Sequence, residues 1–164
     1  MTAREQVVRQ LNALDIEYEM HEHPPVPTVE EALPHWKNIE ATHCKNLFFR
    51  NHKGNRHYLV ILRHDRQLNI RDLEQRLKQG KISFASPERL KKHLGLEGGS
   101  VSLFGILNDR EDHVHVFLDE ALESVEKISF HPNENSATLV ITNASFKKFL
   151  NWSGNPYEFI RLYD

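Results

Sequence analysis

The sequence predicts an α+β fold in one domain over residues 1–164: a mixed, mostly antiparallel, curved sheet with helices packed on it. Three observations predict it. About seven short apolar stretches read as strands. Hairpin turns and loops join them, instead of the regular helix after each strand that a parallel sheet needs. Several helical stretches carry their own start and stop residues, so they are ordered elements and not spacer.

In chain order, Thr2-Ala3-Arg4-Glu5 has the form of a capping box. Val7, Val8, Leu11 and Leu14 follow at helical spacing, and Asp15 ends the helix. Ile16 to Met20 alternates and reads as a strand. His21 to Pro27 is expected to be irregular, because its three prolines remove donors and fix φ. Thr28-Val29-Glu30-Glu31 is a second capping box, opening a short helix expected to stop before Pro34. Leu47-Phe48-Phe49 and Tyr58 to Leu62 read as buried strands joined by the turn Asn51 to Asn55. Asn69 caps a helix with Ile70, Leu73 and Leu77 on one face and Gly80 as its stop. Ile82 to Phe84 is a short strand. Ser86 caps and Pro87 opens the next helix, which ends at Gly95. A Gly-rich loop, Gly95 to Gly105, and a polar turn, Asn108 to Asp112, lead to a strand over His113–Leu118. Val114, Val116 and Leu118 share one face of it; His113, His115 and Phe117 share the other. Lys127–Phe130 and Ala137–Thr142 are further strands. Asn143 caps a last helix, with Phe146, Phe149 and Leu150 inward and Gly154 as stop, before a strand over Tyr157–Leu162.

Composition bounds the function. A chain of 164 residues can bury a real core. A net charge of −2 provides no global basic field, so any RNA contact rests on a local basic patch. The single cysteine rules out a disulfide framework and a cysteine-based zinc site, and fits a reducing cytoplasm. The first residues have no apolar signal region, and no apolar run is long enough to span a bilayer, so no membrane role is expected.

Lys45 stands at the start of the first apolar hairpin strand, where a side chain is held firmly. It is either a solvated strand end or a fixed cation facing a site. Gly98 and Gly99 permit positive φ, and successive N–H groups of such a loop can form an oxyanion nest; a plain connection is the other reading. His131, in a polar loop between two strands, lines a pocket or caps a strand. Cys44 is a nucleophile or packing. Ser83, Ser86 and Ser102 lack the strand–turn–helix elbow of a hydrolase serine. His113 with His115, and His21 with His23, have ligand spacing, but no cysteine or third carboxylate joins them, so no metal site is expected. Arg63, Arg66, Arg71, Lys91 and Lys92 are phosphate-contact candidates or ordinary surface.

Five ordered blocks carry a resemblance: His23 to Ala32, Cys44 to Phe48, Ser83 to Leu90, Gly99 to Gly105, and Phe130 to Thr138. Together they resemble the YbaK/prolyl-tRNA synthetase-associated editing domains, most closely the freestanding ProX branch of alanyl-tRNA(Pro) deacylases. The likeness covers nearly the whole chain. It implies a trans-editing hydrolase in the cytoplasm that cleaves alanine from mischarged tRNA(Pro), with transient prolyl-tRNA synthetase contact and no cofactor or metal. Such editing is needed because a proline pocket cannot strongly reject a smaller side chain. By the resemblance, Lys45 matches a lysine important for activity and for anchoring the tRNA end. Gly99, Ser100, Val101, Ser102 and Leu103 match a GxxxP loop whose backbone contacts substrate. His131 matches a pocket histidine tied to amino-acid selection, and Thr28, Phe104 and Gly105 belong with it on the substrate side. The implied reaction is water attack on the ester, aided by the terminal ribose hydroxyl. Leu103 departs from the pattern where the loop carries proline. A non-catalytic module binding charged tRNA or a synthetase, and a deacylase for cysteine or serine, are the alternative readings.

Overall fold

The computed structural model describes residues 1–164. Its strands are β1 (Glu19–Glu22), β2 (Thr42–Asn51), β3 (His57–Arg63), β4 (Ile82–Phe84), β5 (His115–Asp119), β6 (Lys127–Phe130), β7 (Ala137–Thr142) and β8 (Tyr157–Ile160). Its helices are α1 (Ala3–Ala13), α2 (Val29–Trp36), α3 (Ile70–Leu77), α4 (Pro87–Leu94) and α5 (Asn143–Ser153). The strands form one sheet in the order β1-β7-β6-β2-β3-β5-β8, with β4 also on β2. Four of the pairings are antiparallel; β2–β6, β3–β5 and β5–β8 are parallel.

β3 explains why Tyr58–Leu62 is apolar without interruption. Leu59 and Ile61 enter the main core, and Tyr58, Val60 and Leu62 enter a second core on the opposite face. Helix α1 supplies Val7 and Leu11 to the main core, α4 supplies Leu90 and Leu94, and α5 supplies Phe146, Phe149 and Leu150. Helix α3 covers the other face with Leu73 and Leu77. Helix α2 stands apart and closes a small cluster of Val26, Ala32 and Trp36.

Several boundaries differ from those the sequence predicts. β1 starts at Glu19 and not at Ile16. Asp15 turns the chain at φ 56°, and the Ile16 N–H donates back to Leu11 O at 2.9 Å. β1 also takes in His21 and Glu22, which pair with Thr138 and Ala137, because the prolines begin only at Pro24. Helix α2 runs through Pro34 to Trp36. Pro34, inside the helix, loses one hydrogen bond and crowds the preceding turn, which costs about 3 kcal/mol. Burying the Trp36 ring contributes about 4 kcal/mol and outweighs it. At Thr28 only one half of the expected box forms, with the side chain accepting from Glu31 N–H. Thr142, not Asn143, caps α5, accepting from Ser145 N–H. Lys78, at φ 56°, closes α3 ahead of Gly80. Part of the Gly-rich stretch is a 3₁₀ helix over Leu103–Asn108, and a second covers Glu120–Ser124.

Candidate active site

The sheet splits along one edge of β2. On the side away from β3, β2 pairs with β6 only at Thr42 and His43. Further along that edge it pairs with β4 from Phe49 onward. Between these two partners, Cys44 to Leu47 meet no strand on that edge. A cavity of about 230 Å³ opens there, and Cys44, Lys45, Asn46 and Leu47 all reach it. Gly99, Val101 and His131 form one wall, and Val26, Thr28, Ala32 and Trp36 form another.

Lys45 sits opposite Leu62 in the hairpin. Its partial burial holds the ammonium below the ordinary lysine range, opposed at longer range by Glu30 and Asp65. Asp65 is itself held by Arg63 at 3.0 Å, so it does not neutralise Lys45. Beside it, Asn46 Oδ1 is buried with no partner in the protein. Sequence reasoning missed Asn46; its signal was a polar amide inside an otherwise apolar strand.

Two loops bring the far wall to this point. Gly99 has φ +85°, and its α-carbon is packed on the Pro27 ring: an added Cβ would lie 3.1 Å from Pro27 Cβ. Gly98 is not in the left-handed region, so only one of the two glycines uses that freedom. The Ser102 hydroxyl donates to His131 O at 2.7 Å and accepts Phe104 N–H at 3.2 Å. Asn133 Nδ2 donates to Phe104 O at 3.2 Å. These bonds clasp the glycine loop to the loop after β6. The Ser100 N–H is engaged by Glu97 O at 3.1 Å, whereas the N–H groups of Gly99 and Val101 donate to no backbone carbonyl.

The structure therefore divides the residues that the sequence grouped. Lys45, Thr28, Gly99, Val101 and His131 line the cavity. Ser102, Leu103, Phe104 and Gly105 are buried behind it and hold the loop in shape. Ser100 is half-buried and stands outside the lining. Leu103 is the first residue of the 3₁₀ helix, after Ser102 in an extended conformation (ψ 150°). A proline suits that position, since its missing N–H would be unpaired there anyway. Leu103→Pro is thus expected to keep the deacylation rate that the resemblance implies within about twofold, because the backbone already has the shape proline favours. Steady-state rates on charged tRNA check this.

The histidines of the site are neutral. His131 Nδ1 donates to Ala137 O at 3.2 Å, which leaves Nε2 as an acceptor, and burial lowers its pKa. Trp36 is fixed by stacking on His43 at 4.7 Å and by donating Nε1–H to Thr138 Oγ1 at 3.1 Å. His43 in turn donates Nε2–H to Ile39 O at 3.0 Å and accepts from Ser129 Oγ at 2.6 Å. Burial lowers its pKa also. Cys44 is no nucleophile. Its thiol donates weakly to Thr42 O at 3.8 Å, and burial raises its pKa.

The two histidine pairs with ligand spacing do not meet as ligands. His115 pairs with Glu158 at 3.3 Å, His21 with Glu19 at 3.5 Å, and His23 with Thr138 at 2.9 Å. Instead His113 meets His57 and His93, outside the cavity. Of the basic candidates, Arg63 is engaged by Asp65 and Lys91 by Glu97 at 3.0 Å, while Arg66 lies over Tyr163.

Buried neutral histidines make the fold acid-sensitive. Desolvation depresses the pKa of His43, His93 and His131, and that of His57 is pushed down to about 3. The unfolded chain therefore binds more protons below about pH 6.5, so stability falls as pH drops from there toward the folded values. Melting temperature is expected to be flat above pH 7 and to fall steadily from pH 6.5 to 4. A curve unchanged down to pH 4 would contradict this.

Comparison with known proteins fits this geometry. The family model described as "Aminoacyl-tRNA editing domain" matches residues 23–149. The chain is 39% identical over 163 residues to Prolyl-tRNA editing protein ProX of Acetoanaerobium sticklandii, covering 99% of each chain. It is 35% identical to Prolyl-tRNA synthetase associated domain-containing protein 1 of Mus musculus, covering 93% of this chain and 92% of that one. A solved structure described as a candidate trans-editing enzyme for prolyl tRNA synthetase superposes with a TM-score of 0.71 at 19% identity, over 98% of both chains, and shares the fold.

Proposed function

The chain belongs to the aminoacyl-tRNA editing domain family, and from that premise we propose that it hydrolyses the ester of tRNA(Pro) mischarged with alanine. It is an aminoacyl-tRNA hydrolase acting in trans on tRNA(Pro). The observation that carries the reading is the split edge of β2, which gathers a lysine with no ion-pair partner, two undonated loop N–H groups and a neutral histidine around one small cavity.

An aminoacyl ester is already activated, so positioning and charge stabilisation do most of the work. Water adds to the ester carbonyl carbon. The N–H groups of Gly99 and Val101 receive the developing oxyanion. The bond to the terminal ribose oxygen then breaks, the ribose oxygen takes a proton, and alanine leaves. Lys45 holds an anionic oxygen, of the terminal phosphate or of the reacting centre, as a point charge. Asn46 Oδ1 is an acceptor for the α-ammonium group of the amino acid, and His131 stands in the wall that limits which side chain is admitted. The apolar wall of Val26, Ala32 and Val101 receives a methyl side chain, and the larger proline ring is excluded by size, a second sieve. The protein works in the cytoplasm, with prolyl-tRNA synthetase as a transient neighbour that supplies the mischarged tRNA.

The test is release of amino acid from Ala-tRNA(Pro) and Pro-tRNA(Pro), with and without chelator. Fast loss of alanine alone, unaffected by chelator, is expected. An ester protected from spontaneous hydrolysis would mark a binding module instead. His131→Ala, which removes a side chain from the cavity wall, is expected to narrow discrimination among alanine, serine and proline by about tenfold, the low end of what a change in pocket size is worth. Unchanged ratios across the three charged tRNAs would remove His131 from selection.

A further inference from the structure

His57 on β3, His93 at the end of α4 and His113 just ahead of β5 converge at the far end of the hairpin from the cavity. Their ligating nitrogens all lie within 4.8 Å of one another. His57 pairs in register with Arg50, which is five residues along β2 from Lys45, about 17 Å at strand rise. We propose that these three histidines form a binding site for one divalent transition-metal ion of the zinc class, separate from the deacylation site.

The geometry needs little change to accept the ion. His57 Nδ1 and His113 Nε2 are 2.9 Å apart. Two nitrogens bound to tetrahedral zinc at about 2.0–2.1 Å stand about 3.3 Å apart, so the two rings open by a few tenths of an ångström. The His93 ring stacks on His113 at 4.6 Å and lies 4.0 Å from His57, and rotation about its side-chain torsions brings its nitrogen to the third position. The fourth position faces an open cleft of about 660 Å³ with no apolar side chain in its walls, where Glu111 and water can complete the shell. A set of three imidazoles with one open position suits zinc and its neighbours, not magnesium or calcium.

The hydrogen bonds of the metal-free cluster fix where the His57 proton lies. Desolvation, with repulsion from neighbouring basic groups, lowers the pKa of His57 and of His93. In the metal-free protein Arg89 Nη1 donates to His57 Nε2 at 3.1 Å and to Gly54 O at 2.8 Å. His57 must then carry its proton on Nδ1 and donate it to His113. Binding of the ion at Nδ1 moves that proton to Nε2, which can no longer accept from Arg89. The guanidinium must swing into the cleft, so Arg89 opposes loading, as does the nearby charge of Lys92. Once bound, the ion ties α4 to β3 and to the lead-in of β5. Helix α4 is the element that launches the glycine loop through Gly95.

The test is zinc binding to the untagged protein, read by competition with a chromogenic chelator, with cobalt(II) as a spectroscopic probe. One ion per chain is expected, with the visible absorption of a four-coordinate cobalt centre and a raised melting temperature. His93→Ala and His113→Ala, both at half-buried positions, should each weaken binding by at least about tenfold, since even outer-shell changes cost that much. Arg89→Gln should tighten it severalfold. Binding without fixed stoichiometry, or unchanged in His93→Ala and His113→Ala, would overturn the site and leave the three rings as a hydrogen-bonded cluster. None of these readouts depends on deacylation, so failure here leaves the editing assignment intact.

Discussion

Lys45→Ala is expected to lower alanine release from Ala-tRNA(Pro) by about a hundredfold to a thousandfold, the loss typical of removing one preorganised charge-stabilising group. The size follows from the setting. A charge about 4 Å from an anionic oxygen at an effective dielectric near 20 is worth about 4 kcal/mol, of which each 1.4 kcal/mol is about a factor of ten in rate. Lys45 delivers that charge because no carboxylate forms an ion pair with it: Glu30 and Asp65 act only at longer range, and Asp65 is engaged by Arg63. The fold should not suffer. Lys45 is only half-buried, and the ladder that holds it, opposite Leu62, is made by backbone groups. Lys45→Met, which keeps the apolar stem, should be as inactive as Lys45→Ala, whereas a packing role would predict rescue. The split between constants separates the two uses of the charge. A loss in kcat means it acts on the transition state, and a loss in KM alone means it anchors the tRNA end. A wild-type rate in Lys45→Ala would remove the lysine from the mechanism.

Local features of this fold were legible in the sequence because their causes are local. The caps at Thr2, Asn69 and Ser86, the stop at Gly95 and the β2–β3 turn each depend on a few adjacent residues, and each appears as read. Of the residues the resemblance groups around the substrate, Lys45, Thr28, Gly99, Val101 and His131 line one cavity, whereas Ser100, Ser102, Leu103, Phe104 and Gly105 do not. What the sequence did not reveal depends on long-range register. The cavity exists because β6 leaves β2 after His43 and β4 joins it only at Phe49, and no spacing within β2 announces that gap. Asn46 and Trp36 became visible as cavity residues only through it. The three-histidine cluster was hidden in the same way. His113 lies beside His57 because β3 and β5 run parallel with Tyr58 opposite His115, whereas the sequence pairs His113 with its near neighbour His115. Leu103 looked like a fault in the glycine loop. The structure puts it at the start of a 3₁₀ helix, where leucine and proline fit the same backbone.

Gly99→Ala is expected to lower deacylation by about a hundredfold, through displacement of the loop and not through loss of a functional group. At φ +85° an alanine is strained by about 1–3 kcal/mol. Its Cβ would also stand 3.1 Å from Pro27 Cβ and 3.3 Å from Pro27 Cα. Pro27 cannot rotate out of the way, because its ring is tied to the main chain and the chain there is held by Val26 N–H donating to Asn135 O at 3.0 Å. The glycine loop must therefore yield. Its other end is clasped by Ser102 and Asn133, so the shift concentrates at Gly99 and Val101, the two residues whose N–H groups are left without a backbone acceptor. A displacement of about 1 Å at a reacting centre is enough for a hundredfold loss. Melting temperature should drop by only several degrees, at about 2–4 °C per kcal/mol for a chain of this size. Gly98→Ala is the matched control. That residue has ordinary φ and nothing within 4 Å of an added Cβ, so rate and stability should both stay near wild type. If Gly99→Ala lost stability as expected but kept its rate, the loop N–H groups would not be the oxyanion donors. Stabilisation of the intermediate would then fall to Lys45 alone.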